Sequence, residues 1–137
     1  YFTVSPLGIV SGSNYLYLDA KPVDPRKEPE QAVTTSGATL TIDYALGSRV
    51  ALTLSHNITS VVVNNWPAAP LPGHLILNIV STGAYSITGY PANSFAQGGV
   101  EPTIGSGAGK KSTVILRTND PASIIYVDSV GDDYTAI

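Results

Sequence analysis

The feature that most constrains the fold is a period-two alternation that recurs from residue 38 onward, with turn residues between its repeats. In residues 38–44, Leu40, Ile42 and Tyr44 alternate with Thr39, Thr41 and Asp43. Successive side chains of a strand point to opposite faces, so this spacing makes one apolar and one polar face. Residues 49–54 repeat the pattern with Val50, Leu52 and Leu54 inward, and Gly47 and Ser48 supply the turn before them. Residues 58–63 are β-branched almost throughout, which suits a pleated surface and costs χ1 freedom in a helix. The nearly continuous apolar run at 74–80 predicts a central strand covered on both faces. A shorter run follows at 84–88. Residues 112–117 and 123–128 form a late strand pair joined by a turn sequence around Asn119, Asp120 and Pro121. The stretch 89–109, rich in Gly, Pro, Ser and Asn, predicts a long loop or a set of short crossings. Strands at this spacing, with no helical period, predict an all-β domain: an antiparallel β-sandwich of jelly-roll-like type.

The N-terminal part reads differently. Residues 21–29 hold three prolines and no apolar periodicity. Fixed φ and missing donors predict an extended, polyproline-like segment there. The sequence thus divides into an N-terminal arm and Pro-rich linker, 1–32, and a sandwich body, 33–137. Within the arm, Tyr15 and Tyr17 share one face of a strand-like run and Leu16 and Leu18 the other. Such an arm reaches a neighbouring subunit, or forms a first strand of the same sandwich followed by a long loop. The chain has no methionine, so Tyr1 reads as the start of a processed chain or of the covered part of a longer one.

Charge sharpens the division. Charged residues make up 12% of the chain, about half the usual share. Seven of them, Asp19, Lys21, Asp24, Arg26, Lys27, Glu28 and Glu30, fall within residues 19–30, whereas between Gln31 and Val100 only Asp43 and Arg49 are charged. A surface of Ser, Thr, Asn and Gly suits a body packed against copies of itself, or a charge-poor extracellular β-protein. The net charge of −3 argues against nucleic acid, and no apolar run is long enough to span a membrane. Without cysteine there is neither a disulfide framework nor a thiolate metal site.

No motif carries chemistry. Ser55 and His56 are neighbours, so strand alternation predicts that they face apart and cannot pair in a triad. His74 opens a strand after Pro72 and Gly73 and reads as a rim residue. The Gly-rich run 105–112 resembles a phosphate loop but lacks its first glycine, which is Ile104 here. It also has Lys111 where Ser or Thr should follow the lysine. Asp43, Glu101, Asp120, Asp128, Asp132 and Asp133 give no evident acid–base pair, and the residues around several of them favour turns. Asn57 to Thr59 is formally a glycosylation triplet, a pattern common by chance. The reading is a non-enzyme with no cofactor and no metal.

From about Leu40 onward an ordered series of features appears. Alternating strands end at Leu52 to Leu54, and Asn57 to Thr59 make a turn. Asn65, Trp66 and Pro67 come next, and Gly73 opens the strand through Leu75 and Leu77. Gly83 to Ile87 lead to Gly89, Tyr90 and Pro91, then Gly98 and Gly99 precede Pro102 and Thr103. A final pair runs through Ser112 to Leu116 and Ile124 to Tyr126. In this order the chain resembles a short β-rich module of tailed-phage structural proteins, among them head-decoration proteins and tail-fibre tips. Tyr90 stands where the module often has tryptophan before proline, and Ile125 or Tyr126 where a second tryptophan is common.

The resemblance implies a virion structural role. The expected function is a capsid decoration or cement protein, a homotrimer seated on the outer surface of the phage head and bound to the major capsid protein between capsomers. Its arm would grip a neighbour through Tyr15, Tyr17, Arg26, Lys27, Glu28 and Glu30. The alternative is a tail-fibre, receptor-binding tip that recognises host surface glycan through residues 89–111. Trp66 is expected as a core aromatic closing one end of the sandwich, or as an exposed platform for a sugar ring.

Overall fold

The structure is a computed structural model that describes residues 29–134 and 136–137. Eight strands carry it: β1 (Glu30–Thr34), β2 (Thr39–Asp43), β3 (Arg49–Leu54), β4 (Ser60–Asn64), β5 (Gly73–Ser81), β6 (Ser94–Ala96), β7 (Lys111–Asp120) and β8 (Ile124–Tyr134). The only helical pieces among the described residues are two single 3₁₀ turns, Tyr44–Leu46 and Gln97–Gly99. The first forms because the Asp43 carboxylate accepts the Ala45 N–H at 2.9 Å, capping it. The fold is all-β, as the alternation predicts.

The pairing differs from the antiparallel expectation. One sheet has six strands in the order β1-β3-β5-β7-β8-β6, and the other has two, β2-β4. β1 runs parallel to β3, β3 to β5, β2 to β4 and β6 to β8. Only β5–β7 and β7–β8 are antiparallel. The chain alternates between sheets, from β1 across to β2, back to β3, across to β4 and back to β5. Each return therefore lands parallel to the strand before last. Residues 86–89 make a further crossing and lie beside β4: the Ile58 N–H donates to Ser86 O at 2.9 Å, and the Val61 N–H to Gly89 O at 2.9 Å. The long β7–β8 hairpin then closes the large sheet.

One apolar cluster joins both sheets. Leu40 and Ile42 of β2 and Val61 of β4 meet Val50, Leu52 and Leu54 of β3, Leu75, Leu77 and Ile79 of β5, Val114 and Leu116 of β7, and Ile125 and Val127 of β8. These are the alternate positions of each strand, so among the described residues the opposite face of the six-stranded sheet lies outside this core, with Ala51, Ile76, Asn78, Thr113 and Ile115 half-buried on it. The continuous run of β5 resolves the same way: Leu75, Leu77 and Ile79 are buried, while His74 and Val80 are exposed.

β1 begins at Glu30, inside the stretch assigned to the arm, and Gln31 ties it to the body. The Gln31 side-chain amide donates to Asp43 O at 2.7 Å and to Gly47 O at 2.8 Å. The rest of the arm and linker, up to Glu28, lies outside the described residues.

Candidate functional site

The segment between residues 89 and 111, expected as a loop surface, folds into a cleft. Gly89 starts it. Its φ is +67°, and a Cβ there would run into the Thr59 carbonyl oxygen, so glycine alone fits. The turn sends Tyr90 inward, where it is 7% exposed and joins the core. Ser94–Ala96 then pair with β8 as an edge strand, Ser94 opposite Ile125. That edge strand was not expected, because three residues of Ser, Phe and Ala carry no periodic signal. Gly98 and Gly99, at φ 72° and 73°, reverse the chain and bring Glu101 back to Gly89. There the Glu101 Oε2 accepts the Gly89 N–H at 3.2 Å.

The resulting cleft is about 240 Å³, with Tyr90, Pro91, Ser94, Phe95, Glu101 and Pro102 among its walls. Phe95 is 56% exposed at its mouth. Burial, and secondarily the Glu101 charge, push the Tyr90 phenol above its ordinary value, so the hydroxyl keeps its proton. The Tyr90 Oη and the Ser94 Oγ are both buried, and neither has a hydrogen-bond partner among the described residues. A buried hydroxyl left unpaired costs about 1–3 kcal/mol. Both residues contribute to the wall of the cleft, but their hydroxyl oxygens lie behind its surface, so the carboxylate of Glu101 and the ring of Phe95 are what the cleft presents.

A second feature lies on the solvent face of the six-stranded sheet. Arg117 donates from Nε and Nη2 to Asp128 Oδ2 at 2.9 and 2.7 Å, and its guanidinium sits 5.2 Å from the Tyr126 ring centre. His74 is the cross-strand partner of Arg117. Because Asp128 already occupies the guanidinium, this patch is less open to a ligand than the Tyr90 cleft.

Of the expected interface residues, Tyr15, Tyr17, Arg26, Lys27 and Glu28 lie outside the described residues, and Glu30 is exposed at the start of β1, opposite Arg49 in the parallel ladder. Trp66 is half buried, packs against the core, and tilts onto Tyr44 with ring centres 5.3 Å apart. The expectation that Ser55 and His56 cannot pair fails: Ser55 Oγ lies 3.0 Å from His56 Nδ1. β3 ends at Leu54, so strand alternation no longer governs the pair. The Ser55 hydroxyl also donates to Thr35 O at 2.9 Å, which makes it a clasp between the ends of β1 and β3.

The other candidates are engaged locally. The glycine-rich run leads into β7, a strand, and its amides serve the fold: Gly105 N–H donates to Ser112 Oγ at 2.7 Å and Gly109 N–H to Ser81 O at 2.8 Å. Asp120 holds the β7–β8 turn through Ala122 N–H and Ser123 Oγ. Asp132 accepts from Thr103 Oγ1, and Asp133 pairs with Lys110. Among the described residues no cluster of three His, Cys, Asp or Glu side chains could hold a metal, and no helix is long and apolar enough to cross a membrane. The sequence pointed to the 89–111 segment, but not to Tyr90, Ser94 and Phe95 within it. The one available signal was a lone pair of aromatics inside an otherwise small-residue stretch.

No family model, curated protein or solved structure matches this chain.

Proposed function

We propose that the chain is a structural protein of a tailed-phage particle, a head decoration or cement protein that binds between capsomers, most simply as a homotrimer. The observation that carries this reading is the solvent face of the six-stranded sheet. Across its middle, Ala32, Ala51, Asn78 and Thr113 lie in register on four adjacent strands. This row is small and uncharged. The next row sets Ile76 beside Ile115, with Glu30 and Arg49 on one flank and Asp128 on the other, and Val80 lies at the far side. A free monomer gains little from such a face, whereas a partner sheet or capsomer surface can pack on it closely. We read the two sheets that share one core as a β-sandwich, with the arm before β1 extending toward a neighbour. In this role the protein adds buried area between capsomers and offsets internal pressure from the genome.

The test is binding to phage heads that lack the protein, followed by locating it in a reconstruction. Deleting residues 1–28 should abolish binding. So should Ala51→Arg, which leaves the core untouched. Full binding by both variants overturns the reading. Sedimentation of the free protein tests the trimer.

One observation favours a second reading, a tail-fibre tip that recognises host glycan. The exposed ring of Phe95 and the carboxylate-bearing Glu101 line one cleft in the segment 89–111. A head position in the reconstruction removes this reading, and a tail position removes the first.

A further inference from the structure

Four exposed side chains line up across the six-stranded sheet, on the side away from the core. His74 of β5 is the register partner of Arg117 of β7, Arg117 of Tyr126 of β8, and Tyr126 of Phe95 of β6. Directly opposed residues point to the same side of a sheet, so the four make one row about 14 Å long. All are exposed, Tyr126 at 43% and Phe95 at 56%. Asp128 anchors the Arg117 guanidinium, which sits 5.2 Å from the Tyr126 ring centre. A cleft of about 230 Å³ opens beside the row, between His74, Arg117, Asn119 and Tyr126.

A row of rings with an arginine among them suits a proline-rich partner. Proline rings pack their C–H faces on aromatic rings, and a polyproline-type segment is already extended, so it loses little entropy on docking. The chain carries such a segment at 21–29. Residues 21–28 lie outside the described residues, so the match rests on their sequence and spacing. Pro22 and Pro25 are one polyproline turn apart, about 9.3 Å. Two strand steps along the row, from His74 to Tyr126 or from Arg117 to Phe95, span about 9.6 Å. A linker laid along the row therefore sets successive prolines on every second strand. The donor is another copy. Lys21, Asp24 and Glu28 each precede a proline, which disfavours the helical bend needed to double back across the same sheet.

We propose that residues 21–28 of one copy lie across the row His74, Arg117, Tyr126 and Phe95 of a second copy, with Pro22 and Pro25 packed on its rings. The proposal rests on the reading of a self-assembling shell protein whose arm reaches a neighbour, and it names the surface that the arm grips. Such a contact is head-to-tail, and three copies joined by it close into a ring.

The test replaces Phe95 with the photo-cross-linker p-benzoylphenylalanine in the full chain. Light and isotope-labelled copies are mixed and irradiated, and the joined peptides are identified by mass spectrometry. Cross-links should connect position 95 to residues 21–28 and pair one light with one labelled peptide. Same-copy cross-links alone, or none to 21–28, overturn the proposal. By sedimentation of the unmodified chain and its variants, Pro22→Ser combined with Pro25→Ser should weaken self-association about tenfold, and so should Tyr126→Ser at its exposed position. Self-association that both variants leave unchanged, or a chain monomeric at every concentration, also overturns it. Mixed-label cross-links in a protein that fails to bind phage heads support this contact and remove the cement reading. Head binding without those cross-links keeps the cement reading and removes this contact.

Discussion

At Tyr90 the chain buries a hydroxyl that has no hydrogen-bond partner among the described residues, and the effect is measurable without any ligand. In the free protein, Tyr90→Phe removes an unpaired polar atom from the interior while keeping the ring. We expect stability at neutral pH unchanged or raised by about 1 kcal/mol, read from the urea midpoint. A loss of that size would instead show that the hydroxyl is well bonded in the folded state. The same phenol sets an alkaline limit. Its folded value is raised, so the unfolded chain releases this proton first as pH climbs past about 10. The contribution is intact below pH 10 and falls above it by about 1.4 kcal/mol per pH unit until the folded phenol itself ionises. Tyr90→Phe should flatten that part of the alkaline stability profile. Gly89 is the other decisive residue. Gly89→Ala combines a left-handed backbone with a clash against the Thr59 carbonyl, and should cost about 3 kcal/mol or more in chemical denaturation.

At the scale of elements, the edges decide how strands are held. Among the described strands β1 has one neighbour, and its attachment also draws on side chains. Gln31 bridges to the backbone of Asp43 at the end of β2 and of Gly47 beyond it, and Thr35 just past β1 meets Ser55 after β3. Gln31→Leu should leave global stability within about 2 kcal/mol while the β1 amides exchange markedly faster than those of β3, as expected when one edge opens locally. Unchanged β1 exchange would show that the ladder alone holds it. On the opposite flank, Ser112 is buried and accepts the Gly105 N–H, so it ties the glycine-rich run to β7. Ser112→Ala leaves a buried donor unpaired and should cost about 1–3 kcal/mol. The exposed Arg117–Asp128 pair should contribute under about 1 kcal/mol, despite its short distances.

At the scale of the molecule, the topology makes nearly every ladder non-local. Arg49 pairs with a residue 19 positions earlier and Ile76 with one 27 earlier. Only β7–β8 is a hairpin. Such contacts require large loops to close before they are rewarded, so folding should take milliseconds to seconds, as for other β-rich domains. Stopped-flow fluorescence of Trp66, the sole tryptophan, reports it. Microsecond folding would contradict the pairing scheme. None of the described residues packs a second layer on one broad face of the larger sheet, and that face is where the proposed capsid contact falls.

The strands themselves were legible in the sequence. Periodicity fixes which side chains turn inward, and Leu40, Ile42, Val50, Leu52 and Leu54 are buried as their alternation requires. Gly, Pro, Asn and Asp placed most of the turns for equally local reasons. Partner choice was not legible. Alternation reads the same in a parallel ladder as in an antiparallel one, so only the assembled core shows that the chain crosses between sheets. The three-residue β6 lacks any period and exists because β8 offers it an edge. The Tyr90 cleft arises likewise from distance in sequence closed by tertiary contact: Glu101 returns to Gly89 only after the two-glycine reversal. Local chemistry determined the strands and turns, and the global packing of one shared core decided which of them meet.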